Sequence, residues 1–308
     1  MTGEGVVPRA LHAPMRRAVR LEWINIAFTI SVVIVMGLVL GNSQTMKTAW
    51  IEDTLGLIPP IVFLVAVHFE KKGATHTHPF GFDRAHSLAF LIAAVALAGV
   101  GLLLLWDSVG TLLAREHATV ATVRFLGRDM WLGWLMLGAQ VYSIVPPLII
   151  GRLELPLATR MQDEVLFTDA KMNKANWQTG AAGLAGIVGL GLGWWWADSV
   201  AAAFISVGII SDGWRALRIA TVELTDGEPR ALGSTDPDPE AELLVAKLEG
   251  QYPGADIRLR ETGRYIHAEV CGVAPDPRQN LEALWPGAPE RSWRLAQMSF
   301  VPPDQEEA

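Results

Sequence analysis

Residues 88–106 read LAFLIAAVALAGVGLLLLW, nineteen positions without one charged side chain. As a helix this run covers about 28 Å, close to the hydrocarbon thickness of a bilayer. A helix on the surface of a water-soluble protein would show polar residues on one face instead. Working outward, five more runs share the texture, at about 21–40, 49–69, 130–150, 167–195 and 197–219. The first lacks a small-residue cleavage site and carries Trp23 and Asn25 early, so it reads as a span and not as a removable leader. The expected fold is an α-helical membrane protein, with six transmembrane helices followed by a small α+β, ferredoxin-like cytoplasmic domain.

The composition agrees with lipid as solvent. The 308 residues are 51% hydrophobic and only 19% charged, with mean hydropathy +0.29; soluble domains carry about a quarter charged residues. Net charge is −7 and the pI is about 5.5 with no basic stripe, which argues against nucleic acid as a partner. Cys271 is the single cysteine, so an intramolecular disulfide framework and a cysteine-only zinc site are both excluded. Trp23, Trp106, Trp131, Trp194, Trp195 and Trp196 fall near the ends of the runs, where an interfacial aromatic belt belongs.

Lys and Arg set the orientation. With the N-terminus inside, the inner segments hold Arg9, Arg16, Arg17, Arg20, Lys71, Lys72, Arg84, Arg152, Arg160, Arg215 and Arg218, against only Lys47, Arg115, Arg124 and Arg128 outside. Both termini are therefore expected in the cytoplasm, and the chain in the plasma (inner) membrane. Four parts follow: a cytoplasmic segment at 1–20, the transmembrane domain at 21–225, an Asp/Pro/Gly-rich linker at 226–239 and a cytoplasmic α+β domain at 240–308. In the last part, 240–249 has helical spacing, 257–259 and 265–270 read as strands around Glu261-Thr262-Gly263, 280–284 as a short helix and 293–300 as a final strand.

Charge inside the spans carries the functional information, because an ionisable group at membrane depth costs about 2.5–3.5 kcal/mol even on lenient scales. Glu52 and Asp53 open the second run, with Pro59-Pro60 within two turns. The fifth run holds Asp169, Lys171, Asn173, Lys174 and Asn176; Asp169, Met172, Asn173 and Asn176 share a helical face. Lys171 and Lys174 flank that face, within reach of neutralising Asp169 or another carboxylate. Carboxylate and amide oxygens from two helices make a site for a cation or a proton. The Gly-rich run from Gly180 to Gly193 reads as close helix packing, since it lacks both the ending and the preceding strand of a nucleotide loop. Asp107, Asp129 and Asp198 sit at run ends as boundary residues. No Ser–His–Asp or Cys–His set can be assembled, so the chain is not expected to be an enzyme.

Three stretches carry a resemblance to a known family. They are His78-Pro79-Phe80-Gly81-Phe82-Asp83-Arg84-Ala85-His86 before the third run, Thr168-Asp169-Ala170 with Asn176 in the fifth, and Trp194-Trp195-Trp196-Ala197-Asp198 with Gly213-Trp214-Arg215 around the sixth. In these the chain resembles the cation diffusion facilitators, divalent-metal/proton antiporters. The resemblance implies an alternating-access homodimer exporting Zn²⁺ or a related ion from the cytoplasm against protons, with the cation as cargo and no permanently bound cofactor. It also implies a tetrahedral site of two Asp on the second span and a His-x-x-x-Asp pair on the fifth. Asp53 matches the first Asp, but Leu57 stands at the second, Met172 at the His and Asn176 at the last Asp.

The expected metal ligands are therefore Asp53, Asp169, Asn176, Asn173 and Glu52, an oxygen-rich set that favours Mn²⁺ or Mg²⁺ over Zn²⁺. His68, Glu70, His76, His78, Asp83 and His86 crowd one loop, where the family sometimes holds an accessory metal; His76 and His78 are the candidates, against a reading as solvated loop residues. In the tail, His267 and Cys271 share a strand face with Tyr265 and Glu269; the resemblance makes them candidate ligands at a dimer contact, but with no second histidine in the tail they read as a solvent-facing histidine and a semi-buried thiol. The alternatives are a transport-inactive homologue acting as a sensor or scaffold, and a carrier of another solute that uses Lys171 and Lys174.

Overall fold

The computed structural model describes residues 8–72, 75–79, 81–116, 120–125, 127–274 and 280–302. After a 3-10 turn at Arg9–Leu11, the helices are α1 (His12–Leu38), α2 (Gln44–Leu55), α3 (Ile58–Glu70), α4 (Asp83–Leu113), α5 (Leu132–Met161), α6 (Glu164–Gly191) and α7 (Ala197–Leu224). A two-stranded antiparallel ribbon, β1 (Thr122–Phe125) and β2 (Arg128–Trp131), joins α4 to α5. The sequence reading had not anticipated it.

Five passages are long and apolar enough to cross a membrane: His12–Leu38, Gln44–Glu70, Phe90–Leu113, Leu132–Met161 and Ala197–Leu224. The chain is an integral membrane protein. Their outward side chains, such as Ile34, Leu103 and Phe204, are exposed apolar groups of the kind lipid covers. The 28-residue α6 is as long as these, but Glu164, Asp169, Lys171 and Lys174 in its first half lower its apolarity. It packs between α5 and α7.

The second passage is broken at Gly56-Leu57. Pro59 and Pro60 fall in the first turn of α3, where a missing amide is tolerated, and they offer no N–H to Leu55 and Gly56 of the preceding turn. Two helices of the bundle start on side-chain caps. Ser43 accepts from the Met46 amide at α2, and Asp163 from the Leu166 amide at α6. Asp198, fully buried on α7, reinforces the start of α2 by accepting from Ser43 Oγ at 2.6 Å and from the Gln44 amide at 2.6 Å. This agrees with reading it as a boundary residue.

Close packing follows from the small residues. A Cβ at Gly186 would lie 2.6 Å from Thr45 Oγ1, and one at Gly183 2.8 Å from Gln140 Cδ. A Cβ at Gly151 would lie 2.6 Å from the Ala170 carbonyl oxygen, so α5 and α6 touch backbone to side there.

After α7 come α8 (Pro239–Gln251), β3 (Asp256–Thr262), β4 (Tyr265–Cys271), α9 (Leu281–Leu284), a 3-10 turn at Pro289–Arg294 and β5 (Leu295–Val301). β3 and β4 pair antiparallel, β4 and β5 parallel. Along β4 burial alternates as the sequence reading expected, with Ile266, Ala268 and Val270 inward. Ile266 and Ala268 meet Leu244, Leu248 and Trp285 in a small core.

The tail is docked on one end of the helix bundle. Arg264 and Tyr265, at the β3–β4 turn, reach Asp163 and Glu70, and the Gly263 amide donates to Glu223 Oε1 at 2.8 Å. Segment 226–239 is folded back, its Gly233 amide donating to Glu164.

Candidate functional site

Three helices bring acidic side chains together inside the bundle. Asp169 stands five residues into α6, Glu22 ten residues into α1, and Glu154 seven residues before the end of α5. At 1.5 Å per residue all three lie at comparable depth, about 8–15 Å from the end that carries the tail. One ligand oxygen from each lies within 4.8 Å of the others. Relative exposure is 0% for Glu22, 0% for Glu154 and 2% for Asp169. Asn25 Nδ2 donates to Asp169 Oδ2 at 3.0 Å and Asn173 Nδ2 to the same oxygen at 3.1 Å, with a longer contact of 3.5 Å from Asn173 Nδ2 to Glu154 Oε2. Glu22 is left with both oxygens unpartnered, and Glu154 with Oε1.

The second acidic locus is on α2. Glu52 and Asp53 are half-buried near the break, Asp53 Oδ2 is shielded from solvent without a hydrogen-bond partner, and Glu52 lies beside Thr179 of α6 and within electrostatic reach of Asp212 of α7. Thr179 is ten residues beyond Asp169, about 15 Å along the α6 axis. The two loci therefore occupy different levels. Among the described residues no hydrogen bond or ion pair joins Glu52 or Asp53 to Asp169, Asn173 or Asn176.

Asn176 has another partner. Its Nδ2 donates to the Ser143 carbonyl oxygen at 3.2 Å. In an unbroken helix the amide of residue 147 would occupy that carbonyl, but residue 147 is proline. The α6 amide fills the vacancy left in α5. The expected shared face of α6 also divides: Asp169, Asn173 and Asn176 turn toward α5, whereas Met172 packs with Leu97, Leu104, Ile205 and Ile209 of α4 and α7. Lys171 and Lys174 are exposed, and Lys171 Nζ sits 5.0 Å from the centre of the Phe167 ring. The expectation that they neutralise Asp169 is corrected, because both project from the far side of the helix.

On the loop before α4, His76 and His78 are exposed, and the His78 ring lies 4.4 Å from that of Phe82. The side chains of Asp83 and His86 lie outside the described residues. Among the described residues, only Glu22, Glu154 and Asp169 bring three candidate ligand atoms together. In the tail, His267 and Cys271 are half-buried on the β4 face away from the core.

The sequence reading missed Glu22 and Glu154. Their signal was faint: Glu22 is the second residue of the run at 21–40, close to Arg20, and Glu154 lies four residues past the run at 130–150, close to Arg152, so both read as charges at run ends. Three carboxylates and two amides in a dry interior suit a hard cation or protons.

The chain is similar to known proteins over most of its length. Residues 22–225 match the model of the cation efflux transmembrane domain. Among similar proteins, the manganese efflux system protein MneS of Bacillus subtilis is 24% identical over 232 residues, covering 75% of this chain and 74% of its own. The cation-efflux pump FieF of Shewanella oneidensis is 24% identical over 258 residues, 80% and 79% of the two chains. The zinc transporter ZitB of Yersinia pseudotuberculosis is 24% identical over 213 residues, 67% and 64%. With two thirds of its length in that domain, the chain belongs to the cation efflux family of membrane transporters, the cation diffusion facilitators.

Proposed function

We propose that this transporter exports a divalent cation from the cytoplasm in exchange for protons, and that the cation is a hard ion, with Mn²⁺ ahead of Zn²⁺. In this reading α6 is the sixth span, both termini and the tail face the cytoplasm, the membrane is the inner one, and two copies work as a homodimer. The cargo meets Glu52 and Asp53 at the broken α2–α3 passage, with Thr179 and Asn176 on the facing helix. Asp169 and Asn173 stand nearer the cytoplasm, on the entry side. His76 and His78, exposed on the loop, collect ions before entry.

The observation that carries this reading is the shielded, unpartnered Asp53 Oδ2 beside Glu52, at a point where the helix ladder is interrupted. Unsatisfied carboxylate oxygen in an apolar bundle costs about 1–3 kcal/mol or more unless a cation or proton occupies it. Both bind the same oxygens, so each displaces the other, and that competition is all that antiport coupling needs. The donor set holds no imidazole or thiolate, with Leu57, Met172 and Asn176 at the positions where the family's zinc ligands stand, and oxygen-only sites favour hard ions. A similar protein named for manganese efflux supports the same choice.

The test is uptake into proteoliposomes holding the purified chain. Mn²⁺ flux driven by a pH gradient, with Zn²⁺ flux lower and Asp53→Asn abolishing both, is the expected result. Flux that ignores the pH gradient, or that survives Asp53→Asn unchanged, overturns the proposal.

A further inference from the structure

We propose that Glu22, Glu154 and Asp169 form a second cation site, binding one divalent ion of the oxygen-seeking class between α1, α5 and α6, apart from the cargo site at Glu52 and Asp53. Two independent observations converge on it. The first is spacing. Three oxygens all within 4.8 Å of one another leave an ion at their centre at most about 2.8 Å from each, within a few tenths of an ångström of the 2.3–2.6 Å of calcium–oxygen bonds.

The second is want of any other partner. Both oxygens of Glu22 and one of Glu154 are buried without a hydrogen bond, although buried polar groups in folded proteins nearly always have one. The described ion pairs all lie elsewhere, so among the described residues no lysine or arginine pairs with the three acids. Asn25 and Asn173 both donate to the same oxygen of Asp169, which fixes that carboxylate from two sides as a supporting shell does around a metal ligand.

The donors are all oxygen, which selects Mn²⁺, Mg²⁺ or Ca²⁺ over softer ions. The trio stands about 15 Å along α6 from the level of Thr179 and Glu52, too far for one ion to touch both sets. An ion here ties three helices that belong to the transport bundle, and its charge offsets most of what the three carboxylates bring.

The experiment measures Mn²⁺ bound per chain by equilibrium dialysis of the purified full-length protein in detergent at about pH 8, where carboxylates compete least with protons. The wild type is expected to hold two Mn²⁺ per chain. Glu22→Gln with Glu154→Gln, near-isosteric changes, should leave one. Asp53→Asn should also leave one, and added Mn²⁺ should still raise its melting temperature. A double variant that elutes as the wild type and binds as many ions overturns the proposal, and so does an Asp53→Asn chain that binds none, since the trio then holds protons only. That second measurement stands even where the double variant fails to fold. Failure of the cargo-site reading looks different: Asp53→Asn would leave the count unchanged while the double variant still lowered it.

Discussion

Arg264, at the tip of the tail hairpin, and Asp163, the capping residue of α6, form an ion pair of 2.8 Å with side-chain exposures of 4% and 2%. Glu70 at the end of α3 joins from 3.4 Å. A single guanidinium thus ties the tail to the start of the helix that carries Asp169, and to the end of the passage that carries Asp53. Through α6 the tail is joined to the helix of the trio, and through α3 to the break at Gly56-Leu57 beyond which Asp53 stands.

Arg264→Ala removes the cation and leaves two buried carboxylates facing each other. The expected loss is about 3–5 kcal/mol, read as a lowered melting temperature in detergent. Mn²⁺ flux should fall with it, because the α6 cap is no longer held.

Gly151→Ala places a methyl group 2.6 Å from the Ala170 carbonyl oxygen, beside the α5 and α6 residues that hold Glu154 and Asp169. Backbone cannot yield as a side-chain end does, so the helices must part. A cost of about 1–3 kcal/mol is expected, measured by thermal unfolding, together with weaker Mn²⁺ binding at the trio.

Met172→His with Asn176→Asp supplies the nitrogen and carboxylate donors that zinc prefers. The expected outcome is a gain in the Zn²⁺/Mn²⁺ flux ratio in proteoliposomes. Part of the gain should be offset by lost stability, because Asn176 no longer donates to the Ser143 carbonyl that Pro147 leaves open.

Glu261, on β3, has its carboxyl pushed up from 4.5 to about 7, chiefly by burial, with Arg294 opposing. The folded tail therefore holds this proton more tightly than the unfolded chain. That contribution is full below about pH 4.5 and is lost as pH rises through 7, on the order of a few kcal/mol. Glu261→Gln should remove this downward slope from stability measured between pH 5 and 8. His267 acts in the opposite sense: burial lowers its pKa from 6.5, so its contribution is lost as pH falls below that value. His267→Gln separates the two.

Much of the fold was legible in the residues. Five of the six apolar runs anticipated the passages long and apolar enough to cross a membrane, because lipid demands about 20 apolar residues for each crossing. Gly183 and Gly186 read as packing positions and are packed, since only a missing side chain lets backbones approach so closely. Inward Ile266, Ala268 and Val270 followed from strand alternation. The β1–β2 ribbon was missed because four-residue strands give too short a pattern to stand out.

The candidate sites divide in the same way. Sequence alone determined that carboxylates fall in or beside the apolar runs, and that imidazole is missing from the positions where the resemblance to the family expects it. Only tertiary structure decided which carboxylates meet. Asp169 joins Glu22 and Glu154, far away along the chain, while Asn176 turns to a carbonyl opened by Pro147 on α5. The apolar texture around a charge is a property of the sequence, but its burial is not: Asp169 is buried while Lys171 and Lys174 beside it are exposed. The partner of a charge depends on how separate helices are rotated and stacked, and no local pattern encodes that.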